Sequence, residues 1–507
     1  MKRQTLTRYT IVAVVLAVTV GYGLSLLSDG STAMAIRESL AHCGAYRKVG
    51  AAIAIILLGS VFSYQYPRIG LWIFLIYLPF SGSITYSLGA GNPLYHLIKD
   101  AFYIPSLFAL IDSTTQISQP HPKIKPLIPA LFLLVVVCLM TLLFVNVPQQ
   151  IQGGANDNSV LVGILGLKVL LGYIPLIFCA SYLIRTQSDL FFLMRLHVIL
   201  IIICCSLGLL QYIFLVTGVC HGNIGLSGEA IHKASLEARC LIGGSLLYYP
   251  EWKLIRLPGT FVAPWQWGWF LISGSFFSYA TSISDRQISW RILSLIATVL
   301  IVVMAVISGQ RITLALVPTT LIILALLTDK HKHWLPVKLG GILLFATLIA
   351  SNSEKVQQRL QSLISRWNAS PPHYFIVDQF DWVIAAQSGW LGNGLGKATN
   401  SARILANTKL IETYYAGLLY EIGPLGVIAF LSVISVLVLI TYHAYKSLKD
   451  PSLRRLALCL WIFILLVGYN TYYYPLAVDP VAVYYWFFAG VMLKLPEIEF
   501  NPRKIKS

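Results

Sequence analysis

RLQSLISRWNASPPHYFIVDQFDWVIAAQSGWLGNGLGKATNSARILANTKLIETYYAGLLYEIGPLG, Arg359–Gly426, is the core of the one long polar interruption in an otherwise oily sequence. The interruption runs from Ser351 to Gly423, between two apolar spans. Most of the ionisable and glycine-rich features able to do chemistry fall inside it. The rest of the chain reads as a scaffold that holds this loop against a bilayer surface.

Composition carries the scaffold reading. Of 507 residues, 57% are hydrophobic and 11% charged, where soluble globular chains carry about 25% charged residues. The class implied is an all-α integral membrane protein. A formal charge of +17 fits positive loops facing the cytoplasm better than it fits nucleic-acid binding. Cys138, Cys179, Cys204, Cys205 and Cys459 lie in apolar runs and read as small core residues. Cys220 and Cys240 share one loop, where a disulfide is plausible. No Cys/His spacing suits a metal, and none is expected.

A span needs about 20 mainly apolar residues. Fourteen candidates follow in order: 9–28, 49–66, 69–89, 97–112, 126–147, 160–183, 190–217, 261–283, 290–307, 311–328, 335–351, 424–443, 456–473 and 479–495. With the N-terminus inside (Lys2, Arg3, Arg8), the basic residues Lys446, Lys449, Arg454 and Arg455 of one turn fall inside, as does the tail with Lys494, Arg503, Lys504 and Lys506. The outer loops 148–159 and 474–478 then carry no Lys or Arg. The organisation expected is 1–351 with eleven spans and the outer loop 218–258, 352–423 as the long outer loop, and 424–507 with the last spans and an inner tail. Short helices lying on the membrane are expected in the long loop, with Trp367, Trp382 and Trp390 at the interface.

Four arginines, Arg256, Arg311, Arg359 and Arg366, fall on the outer side against the inside bias. For any one of them, snorkelling at a helix end is the plainer account. Together they suggest an anionic ligand, because the planar guanidinium grips phosphate oxygens bidentately and keeps its charge. Arg311 ranks first, since the short turn between two spans leaves it little freedom; Arg256 follows, then Arg366 beside Trp367, then Arg359. Lys168 lies inside a span, roughly two turns from the outer edge, where a lysine either snorkels or holds a lipid phosphate. Arg195 reads as an inner snorkel, and His197 and His221 as structural.

GNGLGKATN carries Gly392, Gly394 and Gly396. A P-loop needs a glycine where Leu391 stands, and the dinucleotide fingerprint needs one where Lys397 stands, so nucleotide binding is excluded. A tight turn with exposed backbone N–H groups is expected instead. Glu421 precedes Gly423-Pro424, where the next span starts, and reads equally as a helix-boundary residue or a functional one. If 412–421 is one helix, Glu412 lies on the face opposite Glu421 and the two do not pair. Glu412 is then the candidate general base, with Tyr414 and Tyr415 beside it to bury it and raise its pKa; a plain surface glutamate is the simpler account. Asp378 and Asp381 read as solvated or capping.

RLPGTF before a span, ISGQR opening another, a long outer loop with GNGLG, and then ETYYAGLLYEIGPLG together resemble the O-antigen ligase/polymerase family of multi-span glycosyltransferases. The resemblance covers roughly 160–440. It implies glycan transfer from a polyprenyl-diphosphate carrier to a glycan or lipid acceptor at the outer face of the cytoplasmic membrane, with neither metal nor nucleotide. Arg256 and Arg311 take the place of arginines that hold the diphosphate. The family's His-Asn pair is replaced by Glu412-Thr413, which puts the identity of the base in doubt. Ligase and polymerase are not separated by sequence. A small-anion transporter, such as one for bicarbonate, is the alternative from another class, and would place its charges near the membrane midplane.

Overall fold

In the computed structural model the described residues are 33–114, 124–152, 158–224, 238–249, 254–328, 361, 364–365, 367–399, 402 and 408–500, with side chains described from Lys48 onward. The expected spans 9–28 and 335–351, and both Arg359 and Arg366, lie outside them. The α-helices of eight or more residues are α1 (Ala33–Gln65), α2 (Pro67–Tyr77), α3 (Ile98–Thr114), α4 (Ile128–Thr141), α5 (Ser159–Leu171), α6 (Leu176–Leu183), α7 (Gln187–Val216), α8 (Pro264–Ser284), α9 (Ile288–Ile307), α10 (Arg311–Thr328), α11 (Pro372–Ala386), α12 (Tyr414–Ser447), α13 (Pro451–Tyr469) and α14 (Val481–Phe500). Strands β1 (Leu247–Tyr249) and β2 (Leu254–Arg256) form one small sheet. Among the described residues ten helices are long and apolar enough to cross a membrane, or eleven if the bent pair α5–α6 is one span. The protein is a mostly helical, membrane-type fold.

Two expected spans differ from a plain rod. The span 160–183 is bent by 41° between α5 and α6, where Gly172 and Pro175 interrupt the backbone ladder. Lys168 lies in the last turn of α5, beside this break, and not within an unbroken span. Helix α8, at 264–284, takes the place of the expected span 261–283 but is too polar to count among the ten. Its Ser273, Ser275, Ser278 and Thr281 hydroxyls donate back to carbonyls three or four residues earlier, and all four are buried. A helix wrapped in protein has no need of a lipid-compatible surface.

The chain forms two compact units. The first takes the described residues of Met1–Ser118, Cys204–Pro250 and Ile255–Trp267. There α1, α2 and α3 meet through small residues: a Cβ on Gly70 would lie 2.5 Å from Ser106 Oγ and 2.9 Å from Ser63 Oγ. Close small-residue contact is how helices pack where lipid removes the hydrophobic drive. The segment Leu257–Phe261 is buried, and the Ser83 N–H donates to Thr260 O at 3.0 Å. Cys220 and Cys240 form the disulfide that was plausible from sequence.

The second unit takes the described residues of Gln119–Ile203, Glu251–Leu254 and Gly268–Ser507. Its axis is α14, nearly all of whose residues are buried. Gly490 lets that axis touch α6, since a Cβ there would lie 2.3 Å from Ile177 O. Helix α12 is two helices joined at Gly423, whose φ of 66° and ψ of −174° break the ladder before Pro424. The membrane-length part therefore starts where the Gly-Pro pair indicates.

Candidate functional site

Arg311 is the first residue of α10, held by the short turn that joins it to α9. Its Nη1 donates to Ser370 O at 3.1 Å, just before α11. Glu412 does not sit in a helix: α12 begins at Tyr414, and Thr413 has extended backbone angles. The Glu412 N–H donates to Gln379 Oε1 of α11 at 2.9 Å. Thr413 pairs antiparallel with Tyr472, and the Tyr414 N–H donates to Thr471 O at 2.6 Å. The opposite-face argument built on a helix over 412–421 thus falls, because strand pairing with 471–473 captures the backbone of 412–414.

Tyr472 is where these pieces meet. Burial pushes its phenol above the ordinary range; Tyr473 and Glu412 push the same way, and the Arg311 charge opposes them. Arg311 and Glu412 therefore act on one hydroxyl from opposite signs of charge, although they lie far apart in sequence. Phe375 meets the Tyr472 ring edge-on at 6.0 Å, and Tyr473 does so at 4.4 Å. Trp269 Nε1 donates to Tyr473 O at 3.0 Å. Tyr473 and Tyr474 have φ of 55° and 33°. Left-handed backbone at two successive non-glycine residues costs about 1–2 kcal/mol each and concentrates at working sites.

Tyr414 and Tyr415 do not bury Glu412 as expected. Both rings pack edge-on to Phe430, and the Tyr415 hydroxyl donates to Gly468 O at 2.5 Å. They face the core because they open a helix, whose inward face is set by its period.

The glycine loop also differs from expectation, for its N–H groups are taken. Those of Asn393 and Gly394 donate to Tyr420 O and Glu421 O, and that of Leu395 to Asn146 Oδ1 at 2.9 Å. Glu421 Oε1 accepts from the Ala398 N–H at 2.8 Å and the Thr399 hydroxyl at 2.9 Å. The loop is closed on its own chain, with the buried Glu421 carboxyl group fastened to its far side by the Ala398 N–H and the Thr399 hydroxyl. Gly392, Gly394 and Gly396 have φ of 74°, 113° and 78°, and a Cβ on Gly396 would lie 2.1 Å from Val162 O. Glu421 and the three glycines hold the loop to α5 and to the break in α12, and take no part in the Arg311–Tyr472 cluster.

Helix α11 docks through Val383 against Ile411 and Ala416. It leaves Tyr374, Val377, Trp382 and Ile384 exposed, with Trp367 and Trp390 exposed on either side, a pattern suited to a membrane interface. Arg256 closes β2, half-buried, in the first unit, while Lys168 and Arg311 belong to the second. Among the described residues no group of His, Cys, Asp and Glu could hold a metal. Sequence reading missed Tyr472, Phe375, Gln379 and Ser370; the run TYYYP at 471–475 was the one available signal. No protein-family model matches the chain, and no curated protein matches it.

Proposed function

We propose that this chain transfers a glycan from a polyprenyl-diphosphate carrier to an acceptor hydroxyl, at the outer face of the cytoplasmic membrane. The observation that supports it best is that Arg311 and Glu412 are tied to α11 and the segment just before it, through Ser370 O and Gln379 Oε1, where Phe375 of the same helix meets the Tyr472 ring. Glu412 takes the proton of the acceptor hydroxyl as that oxygen bonds to the anomeric carbon and the bond to the diphosphate breaks. Arg311 stabilises the charge arriving on the departing diphosphate. Tyr472, held neutral, donates a hydrogen bond to an oxygen beside it, and the aromatic rings of Phe375, Tyr472 and Tyr473 offer sugar faces an apolar wall. Lys168, in the same unit as Arg311, is a further candidate for the diphosphate. Whether the acceptor makes the protein a ligase or a polymerase is read from the native host: deletion leaves long unattached chains in the first case and short carrier-linked units in the second.

The test is transfer by the full-length protein in proteoliposomes, from a polyprenyl-diphosphate glycan. Arg311→Ala and Glu412→Gln each lower turnover by at least about 100-fold while the protein still inserts; wild-type turnover in either variant sinks the reading. One observation favours a small-anion transporter instead. The break between α5 and α6 beside Lys168 is the kind of discontinuity that transporters use. Uptake of labelled bicarbonate by the same proteoliposomes, without glycan transfer, decides for it.

A further inference from the structure

At the opposite end of the second unit, away from Arg311, the N-terminal half of α7 and the start of α9 flank a half-open cavity of about 450 Å³. That this is the same end of the unit as the α12–α13 turn follows from two contacts: Ser452 Oγ donates to Ser284 O at 2.6 Å, and Arg286 lies 3.9 Å from Asp450. The mouth of the cavity is polar, with Gln187, Ser188, Arg286 and Gln287. Its floor is Arg195 and Trp290: Arg195 holds Asp285 bidentately at 2.8 and 2.9 Å, and its Cζ lies 5.2 Å from the Trp290 ring. Further along α7, Phe192, Leu196 and Ile199 line the cavity on one helix face, and Phe192 and Ile199 are exposed.

We infer that this cavity binds the headgroup of an anionic phospholipid, with an acyl chain lying along Phe192, Leu196 and Ile199. Three observations carry it. Arg286 keeps only a loose ion pair with Asp450, at 3.9 Å, and its side chain is 66% exposed. Its Nη2 donates to Gln187 Oε1 at 3.3 Å, which turns Gln187 Nε2 the other way, buried and without a partner among the described residues. A buried donor beside a guanidinium awaits an acceptor oxygen. The order of polar mouth at the helix ends and apolar stripe down the helix matches a phospholipid and not a soluble anion, which would leave the stripe uncovered. Arg291 adds charge through its contact with Asp285 O, so basic groups outnumber the acids Asp285 and Asp450 around the cavity.

The full-length protein is delipidated in detergent, offered equal amounts of phosphatidylglycerol and phosphatidylcholine in mixed micelles, and the retained lipid is counted by mass spectrometry. The wild type retains phosphatidylglycerol preferentially; equal retention of the two overturns the inference without any variant. Arg286→Ala and Gln187→Leu each weaken phosphatidylglycerol retention by about tenfold and leave phosphatidylcholine unchanged. A correctly folded variant, monodisperse with wild-type unfolding temperature, that retains phosphatidylglycerol at the wild-type level also overturns it. Glycerol phosphate is the third arm: displacement of the lipid at equal concentration makes the site one for a soluble phosphate and overturns the lipid assignment.

Discussion

Glu421 and Gly396 show how a residue that looks chemical can be an anchor. The Glu421 carboxylate is buried and satisfies the Ala398 N–H and the Thr399 hydroxyl. Glu421→Ala strands both donors and should lower stability by about 3 kcal/mol, while Glu421→Gln, which keeps one acceptor oxygen, should lose about half of that. Thermal unfolding in detergent measures both, and an unchanged Ala variant removes the anchor role. Gly396→Ala meets both a positive φ and Val162 O at 2.1 Å. Gly389 has a φ of 67° but nothing within 4 Å. The first substitution should therefore cost at least about 2 kcal/mol and the second about 1 kcal/mol. Equal unfolding temperatures for the two would show that the crowding is immaterial.

At the scale of elements, the α8–α9 turn depends on Asp285. Burial alone would raise its carboxyl, but the Arg195 hydrogen bonds, the Gln287 N–H and the charges of Arg195 and Arg291 outweigh that and hold it below the usual range. A folded value below the unfolded one of about 3.9 means that the stabilisation is complete above roughly pH 4. It is lost as pH falls through the folded value. Asp285→Asn should therefore unfold at a lower temperature than wild type at pH 7, by about 2 kcal/mol in stability, and the gap should close toward pH 3. A gap independent of pH would mean that packing, not charge, ties α7 to this turn. Helix α12 teaches a related lesson about extent. The Gly-Pro pair marked where its membrane-length part begins, yet the preceding turn, Tyr414–Ile422, is helical as well and feeds Glu421 into the glycine loop.

For the whole molecule, the disulfide and the buried polar helices decide stability. Cys220–Cys240 closes a separation of 20 residues in the first unit. Its removal by Cys220→Ser with Cys240→Ser should lower stability by about 3 kcal/mol, through entropy returned to the unfolded chain. Reductant should reproduce that loss in the wild type, and no response to reductant would show that the bridge does not form in the membrane-inserted protein. Bridges of this kind persist in oxidising compartments. Helices α8 and α14 are the long helices most enclosed by protein.

What the sequence by itself determined is the helical membrane class, most span positions, the turn that presents Arg311 and the break at Gly423. These follow from local rules: twenty apolar residues satisfy their own backbone as a helix in lipid, and Gly-Pro ends one. Only the tertiary structure decided which residues meet. Glu412 comes to Tyr472 through the antiparallel bridge of its neighbour Thr413 with Tyr472, 59 residues further on, and no periodicity within either segment encodes that. It likewise decided that the N–H groups of the glycine loop are taken up within the chain, since a turn with N–H groups turned outward reads the same in sequence whatever accepts from them.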